Sequence, residues 1–349
     1  MFTKWTRAFL TLTCIILLTP VFCLAKDYGN KDTAKVIWKT ATMAPKGIGY
    51  SQLFEEILMP EIEKQTKGEL YLKIYWGGVM GDDKQILKKM RINQLQGAGL
   101  SGQGTFELSK EIAVLGLPFM FNSYEEIDYV KTKMIDTYDN VVQEESGFKM
   151  LQWLDQDFDQ IYSAKFPMDK VENFSKVRFI TWYGDLEGKL LEKLGASPIP
   201  IDVAEIPSTV RAGAGEGLIA PAIWVAATQL YNSFEYVNSA KIRYTPAFVV
   251  VTQTAWDEVP EEHRKKVAEL RVPLSKSFCE RSRLESEKYL KAIMSRGIKA
   301  ANPCPEEMAL LKEKTMPLWG ELAGELYSQE ILDELEAHLK EYRNMQKGG

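Results

Sequence analysis

The sequence predicts an α/β protein built as two lobes. Strand-like and helix-like segments alternate from residue 35 onward, and a second series of the same kind begins near Lys149. A chain of 349 residues, at roughly 150 residues per domain, makes about two domains, each large enough to bury its own core. With 45% hydrophobic and 26% charged residues the composition is that of an ordinary globular chain, which excludes disorder, collagen and a coiled coil.

Residues 35–42 (KVIWKTAT) are β-rich, and Ala44-Pro45-Lys46-Gly47 breaks the strand. Over 51–64, Leu53, Phe54, Ile57, Leu58 and Ile62 recur at helical spacing. Residues 70–76 alternate as a second strand, Gly77-Gly78-Val79-Met80-Gly81 turns the chain, and Asp82 caps a helix reaching about residue 95. A strand at 97–101 follows, and this alternation specifies a mostly parallel sheet covered on both faces. In the second series, 150–154, 160–164 and 177–181 read as strands, and a helix over 185–194 ends at Gly195, a usual C-cap residue. A helix over 204–212, a strand at 218–219 and another at 244–252 (YTPAFVVVT) come next. From Val259 the pattern is mostly helical, with Pro273, Gly297, Pro303, Pro305 and Pro317 as breaks and solvated charged faces.

The first 25 residues stand apart. Lys4 and Arg7 precede an apolar run over 8–18, Pro20 ends it, and Cys23-Leu24-Ala25 offers a cleavage site, so a secretory signal peptide cut after Ala25 is expected. The run is well short of the roughly 20 residues a spanning helix needs. The chain carries 43 Lys and Arg against 48 Asp and Glu, and losing two basic residues with the signal makes it more acidic still. Such a chain has no electrostatic footprint for nucleic acid or anionic lipid. Cys279 and Cys304 remain after cleavage, either as a disulfide or as two free thiols.

His263 and His338 lie among charged helix positions (EEHRKK and EAHLKE), where surface placement is expected. With both histidines so placed, a Ser-His-Asp triad or a zinc site would need more histidine or cysteine than this chain offers, and no catalytic residue, metal or cofactor is expected. Gly97-Ala98-Gly99-Leu100-Ser101-Gly102 fits G-x-G-x-x-G, but a helix precedes it where a dinucleotide site needs a strand. These glycines read better as a strand end that a ligand approaches, and neighbouring Gln103 joins the ligand-binding candidates. Asp155, Asp157 and Asp159 echo a calcium loop, yet Gln160 and Phe166 occupy the positions that need Gly and Glu. They are expected on one side of an extended segment at a lobe boundary. Arg178 sits in an apolar strand (VRFITW), where a permanent charge needs a partner: either a structural ion pair or a ligand carboxylate. Trp76, Trp153, Trp182, Tyr183 and Trp224 fall near expected strand ends, where open α/β sheets place ligands.

Several phrases together resemble the solute-binding subunits of TRAP (tripartite ATP-independent periplasmic) transporters. They are Ala44-Pro45-Lys46-Gly47, Gly78-Val79-Met80-Gly81, Leu115-Gly116-Leu117-Pro118-Phe119-Met120-Phe121, Lys176-Val177-Arg178, Leu194-Gly195-Ala196-Ser197-Pro198-Ile199-Pro200 with Glu205, and Trp256-Asp257-Glu258-Val259-Pro260. The resemblance implies a two-lobed periplasmic solute-binding-protein fold, hinged to close on an organic anion, with Arg178 matching the arginine that pairs with its carboxylate. Two departures stand out: Gly213-Ala214-Gly215-Glu216-Gly217 replaces the usual aspartate-glycine turn, and a second basic residue is missing near 153–163. A small dicarboxylate is therefore a poor fit. Tyr75-Trp76-Gly77-Gly78, Gln156-Asp157-Phe158-Asp159-Gln160 and Pro221-Ala222-Ile223-Trp224 resemble the branch that works beside a periplasmic tetratricopeptide-repeat protein.

The function so implied is a periplasmic receptor that binds an organic monocarboxylate with an apolar body and delivers it to a membrane permease. Arg178 is the expected carboxylate clamp, with Trp182, Trp224, Trp153 and Phe119 around the apolar remainder. The expected lobes are 35–152 plus about 243–275, and 153–242 plus about 276–345. An exported nucleotide-dependent oxidoreductase using the glycine-rich segment is the competing function, and a scaffold protein a third.

Overall fold

The computed structural model describes residues 31–348, so the expected signal peptide lies outside the described residues. Its strands, numbered in chain order, are β1 (Val36–Thr42), β2 (Leu70–Tyr75), β3 (Gly97–Gly99), β4 (Phe148–Phe158), β5 (Gln160–Ser163), β6 (Phe179–Thr181), β7 (Ile199–Pro200), β8 (Gly217–Ala220), β9 (Tyr236–Asn238), β10 (Tyr244–Thr252) and β11 (Lys299–Ala300). They form two sheets, ordered β2-β1-β3-β10-β4 and β11-β9-β5-β8-β6-β7. Parallel pairs join β1 to β2 and β3, and β6 to β7 and β8, as strand–helix–strand crossovers require. The sheets are nevertheless mixed rather than mostly parallel: β10 is antiparallel to β3 and β4, and β5 to β8 and β9. The reason is topological. The chain passes almost directly from β4 into β5, and returns from β9 to β10, so these strands enter their sheets reversed.

Local chemistry sets the flanking helices. Asp82 accepts the Gln85 N–H at 2.8 Å and starts the helix Asp83–Arg91, while Gly195, at φ 84°, closes the helix Asp185–Lys193. A 23-residue helix, Tyr124–Ser146, lies between Ser123, which accepts the Glu126 N–H, and left-handed Gly147. Its Val130, Met134, Tyr138 and Val142 are buried in the core shared with Trp153 and Phe248 of the first sheet. This helix was not expected from the sequence, although its signals are present: Ser123 and Glu126 have capping-box spacing, Ile127, Val130, Met134, Tyr138 and Val142 recur at helical spacing, and Gly147 ends it. The 25-residue helix Arg271–Ser295 ties the sheets together: the Ser275 hydroxyl donates to the Trp153 carbonyl near one end, and Ile293 sits in the second sheet's core near the other. The expected lobe boundary at residue 152 falls within β4, and the terminal helix Gln329–Gly348 packs on Tyr124–Ser146, beside the first sheet.

His263 is buried rather than at the surface, because its helix Glu261–Glu269 packs on the helix Met59–Gln65 and brings Nε2 to 3.1 Å from the Glu69 carboxylate. Cys279 and Cys304 are free thiols, the first buried and the second exposed.

The three alternating acids sit where the chain leaves one sheet for the other, and all are buried. Asp155 is bonded by Lys131, by the Arg283 Nε at 2.7 Å and by the Tyr244 hydroxyl at 2.7 Å. Asp157 accepts from the hydroxyls of Ser286 and Tyr124, and Asp159 from Arg243 at 2.7 Å and Thr245 at 2.6 Å. Burial would raise Asp155, but Lys131 and Arg283 outweigh it and hold its carboxyl at about 2. Burial wins at Asp157, whose neighbours are neutral hydroxyls and whose carboxyl is pushed up to about 6. Raised above the unfolded value of about 3.9, Asp157 contributes stability that is fully present below that value and lost as pH rises through 6. Asp155 acts oppositely, its contribution disappearing as pH falls from about 4 toward 2. Lowering pH from 7 to 5 should therefore gain on the order of 1 kcal/mol through Asp157. Urea titrations at the two pH values should show that gain shrinking in Asp157→Asn; equal gains in both proteins would show that Asp157 is not its source.

Candidate functional site

A cleft of about 250 Å³ lies between the sheets, at the carboxyl ends of strands from both. After β1 come Met43, Ala44 and Pro45; after β3, Leu100 and Ser101; after β6, Trp182; after β8, Ile223 and Trp224; all line it. The middles of β4 and β10 supply its floor, from Leu154 to Gln156 and from Ala247 to Val249. Trp182 and Trp224 form one wall, their ring centroids 4.8 Å apart, and the Trp182 Nε1–H is anchored on the Ile219 carbonyl at 2.9 Å. The glycine-rich segment is tightly packed rather than a phosphate cradle. A Cβ at Gly97 would lie 2.9 Å from the Val250 carbonyl oxygen, and one at Gly104 2.6 Å from the Asp83 Cβ. The Asp83 carboxylate accepts the N–H groups of Ser101 and Gly104, each at 3.2 Å, and burial pushes it up to about 6.

The floor also joins the two sheets. A register shift in the β4–β10 ladder leaves Gln156 as an extra residue and turns its side chain to the cleft. Its side-chain Oε1 accepts the Gly102 N–H from one side, and its Nε2 donates to the Tyr183 hydroxyl at 2.9 Å on the other. Gly102 has to be glycine here, since a Cβ would lie 2.2 Å from the Thr245 methyl and 2.7 Å from the Tyr183 ring. Tyr50 donates to the backbone carbonyl of Gln156, and beneath Tyr183 the buried Arg243 stacks 4.4 Å from its ring while pairing with Asp159 and Glu187. Most polar groups of the cleft thus have their hydrogen bonds filled within the protein. Among the described residues that line it there is no Lys, Arg or His.

Of the six residues expected to bind ligand, the structure brings together only Trp182 and Trp224. Arg178 does not reach the cleft. It precedes the first residue of β6, whereas the cleft opens after its last, four residues and about 13 Å further on. The Arg178 side chain is 55% exposed and bonds Glu216 and the Gly213 carbonyl, each at 2.8 Å, with Lys165 also on Glu216 at 2.5 Å. Hydrogen bonds from Lys165, then Arg178, lower the Glu216 carboxyl. The unusual Glu216 of the Gly213–Gly217 turn is thus Arg178's partner, and the structural ion pair prevails over the ligand clamp. Trp153 is wholly buried on the far face of β4, against Tyr138 and with its Nε1–H on the Tyr244 hydroxyl at 3.1 Å. Phe119, at φ 57°, is buried in the core with its N–H on the Ile242 carbonyl, and Gln103, in the helix Gly102–Phe106, is buried outside the cleft wall. Tyr50, Gln156, Val203 and Ile223 escaped sequence reasoning. For Ile223 the signal was present, because it follows three residues after the end of β8.

The chain belongs to the DctP family, bacterial extracellular solute-binding protein family 7, whose model matches residues 43–325. Its fold is that of TRAP periplasmic solute-binding proteins, which are binding proteins and not enzymes. One from Ochrobactrum anthropi, with its C-terminus bound in the ligand-binding pocket, is 22% identical with a TM-score of 0.78, covering 90% of this chain and 97% of that one. Another from Haemophilus influenzae, with bound L-gulonate, is 14% identical with a TM-score of 0.80, covering 87% and 100%. Among curated proteins, an uncharacterized protein of Haemophilus influenzae is 24% identical over 209 residues, 59% of this chain and 62% of its own. The 2,3-diketo-L-gulonate-binding periplasmic protein YiaO of Escherichia coli is 19% identical over 205 residues, 58% of this chain and 62% of its own. The match thus spans about three-fifths of these relatives' length. No helix among the described residues is long and apolar enough to cross a membrane.

An exposed pair such as Arg178–Glu216 contributes at most about 1 kcal/mol. Arg178→Ala should therefore lower the melting temperature by a few degrees at most and leave solute affinity unchanged in calorimetric titration; a tenfold loss of affinity would return Arg178 to the ligand site.

Proposed function

We propose that this protein is the periplasmic solute receptor of a TRAP-type secondary transporter and that its ligand is an organic monocarboxylate with a largely apolar body. The observation that carries this is the cleft itself, walled by Trp182, Trp224, Ile223 and Val203 beyond strand ends and by Phe278 of the helix Arg271–Ser295, with no cation in its lining. Relatives of this fold have been seen with galactonate and D-erythronate, acids covered in hydroxyls. Here the filled hydrogen bonds of Tyr50 and Gln156 offer such hydroxyls few partners, while apolar surface gains about 0.8 kcal/mol per buried methylene. The carboxylate then belongs at the cleft mouth, where exposed Lys46 follows lining residue Pro45 and exposed Arg211 donates to the carbonyl of lining residue Thr228 at 2.9 Å. The two sheets act as the cores of two lobes that close on the solute, since a ligand touching both walls favours the closed state. Export after Ala25 and delivery to the membrane permease follow from the same assignment, and the branch phrases support work beside a periplasmic tetratricopeptide-repeat protein.

Calorimetric titration with straight and branched acids from butanoate to octanoate tests this. Affinity should rise about fourfold per added methylene, with succinate and galactonate binding at least a hundredfold more weakly than octanoate. Arg211→Ala, a rim charge, should cost only a few-fold. Tight binding of succinate or galactonate, or no binding across the acid series, would refute the assignment.

A further inference from the structure

Resting on the cleft as the ligand site, we propose that a second, apolar compartment beneath the first sheet receives the far end of the ligand's chain, so that the cargo is a long-chain aliphatic acid. This space, about 100 Å³, lies between the sheet and the helices Met59–Gln65 and Glu261–Glu269, walled by Trp38, Leu58, Ile62, Leu72 and Trp256. Protein interiors are packed as densely as organic crystals, and apolar voids stay dry and accept apolar guests. The compartment shares Thr42, Phe54, Gly99 and Val249 with the cleft, so the two are neighbours across the Phe54 ring.

The backbone around this doorway is irregular on both sides. Phe54 opens the π-helical turn Phe54–Leu58, which interrupts the helical segment between Tyr50–Leu53 and Met59–Gln65; such turns are rare and gather at functional sites. Its ring is held edge-on by Phe278 at 5.3 Å and Trp76 at 6.3 Å. It lies over Gly99, where a Cβ would stand 3.2 Å from the Phe54 Cζ. Across the compartment, Val249 faces Gln152 but Val250 faces Met150, so Leu151 is an extra residue in β4. Leu151 and Gln152, adjacent in sequence, consequently both line the compartment, where strict alternation would send one to the opposite face. Gln152 is only 4% exposed and its Oε1 has no hydrogen-bond partner. An unpaired acceptor at the wall of an apolar void is costly in a closed core and calls for an occupant, with room for a hydroxyl on an otherwise aliphatic chain.

The test compares octanoate with dodecanoate by calorimetry, below their micelle concentrations, on the wild-type protein and on Leu58→Phe, which fills the compartment from its wall. Wild type should bind dodecanoate at least tenfold more tightly, since four further methylenes find apolar walls. Leu58→Phe should bind octanoate within about twofold of wild type and lose at least tenfold for dodecanoate. Independently of whether that variant folds, crystals of the wild type with dodecanoate brominated at its terminal carbon should show the anomalous peak between Trp38 and Trp256. Equal wild-type affinities for the two acids, equal weakening of both in Leu58→Phe, or bromine in the cleft or in solvent would overturn the compartment while leaving the cleft as the site. Failure of both acids to bind the wild type would overturn the cleft assignment, and the compartment with it.

Discussion

Everything in this molecule hangs on carrying the chain between two sheets through a buried, charged crossing. Between Asp155 and Gln160 the backbone passes from β4 to β5 with three carboxyl groups inside the protein. A buried ion without a partner is prohibitively costly, and removing one member of a buried pair costs several kcal/mol. Each acid therefore recruits groups from elsewhere: Lys131 and Tyr124 from the helix Tyr124–Ser146, Arg283 and Ser286 from the helix Arg271–Ser295, and Arg243 and Thr245 from the returning strand. These bonds fix the registry of two long helices and two strands at once. That is how a narrow crossing, rather than a large interface, orients the two halves of the cleft.

The same crossing explains the cleft's chemistry. At the crossing Asp155 and Asp159 are paired with cations, and Arg243, which stacks on Tyr183 directly below the floor, is spent on Asp159 and Glu187. Gln156 and Gly102 close the floor with hydrogen bonds of their own. What remains above is mostly tryptophan, valine, isoleucine and phenylalanine, carried on strand ends and on the helices that follow or cover them. A fold that in some relatives is seen with bound sugar acids is here lined mostly by apolar side chains.

Much of this was legible in the sequence. Alternating segments gave β1, β2 and β10 nearly to the residue, and the order of family phrases gave the architecture. Trp182 and Trp224 could be placed because they lie one and four residues beyond the ends of parallel strands, where such sheets open their crevice. Arg178 could not, since its partner is 38 positions away in a turn whose fold is invisible in sequence. Trp153 lies on the opposite face of a strand from the cleft, a distinction that hinges on register shifts at Leu151 and Gln156. His263 misled for a similar reason, because charged neighbours on its own helix said nothing about the helix packed against it.

The central claim is that the solute is an acid dominated by hydrocarbon, held without a cation in the cleft wall. Its most direct test is mass spectrometry of small molecules released on denaturing protein purified from its native host under mild conditions. The account predicts a single aliphatic or aromatic monocarboxylic acid in near-stoichiometric amount. Recovery of a sugar acid or a short dicarboxylate in that amount would contradict it.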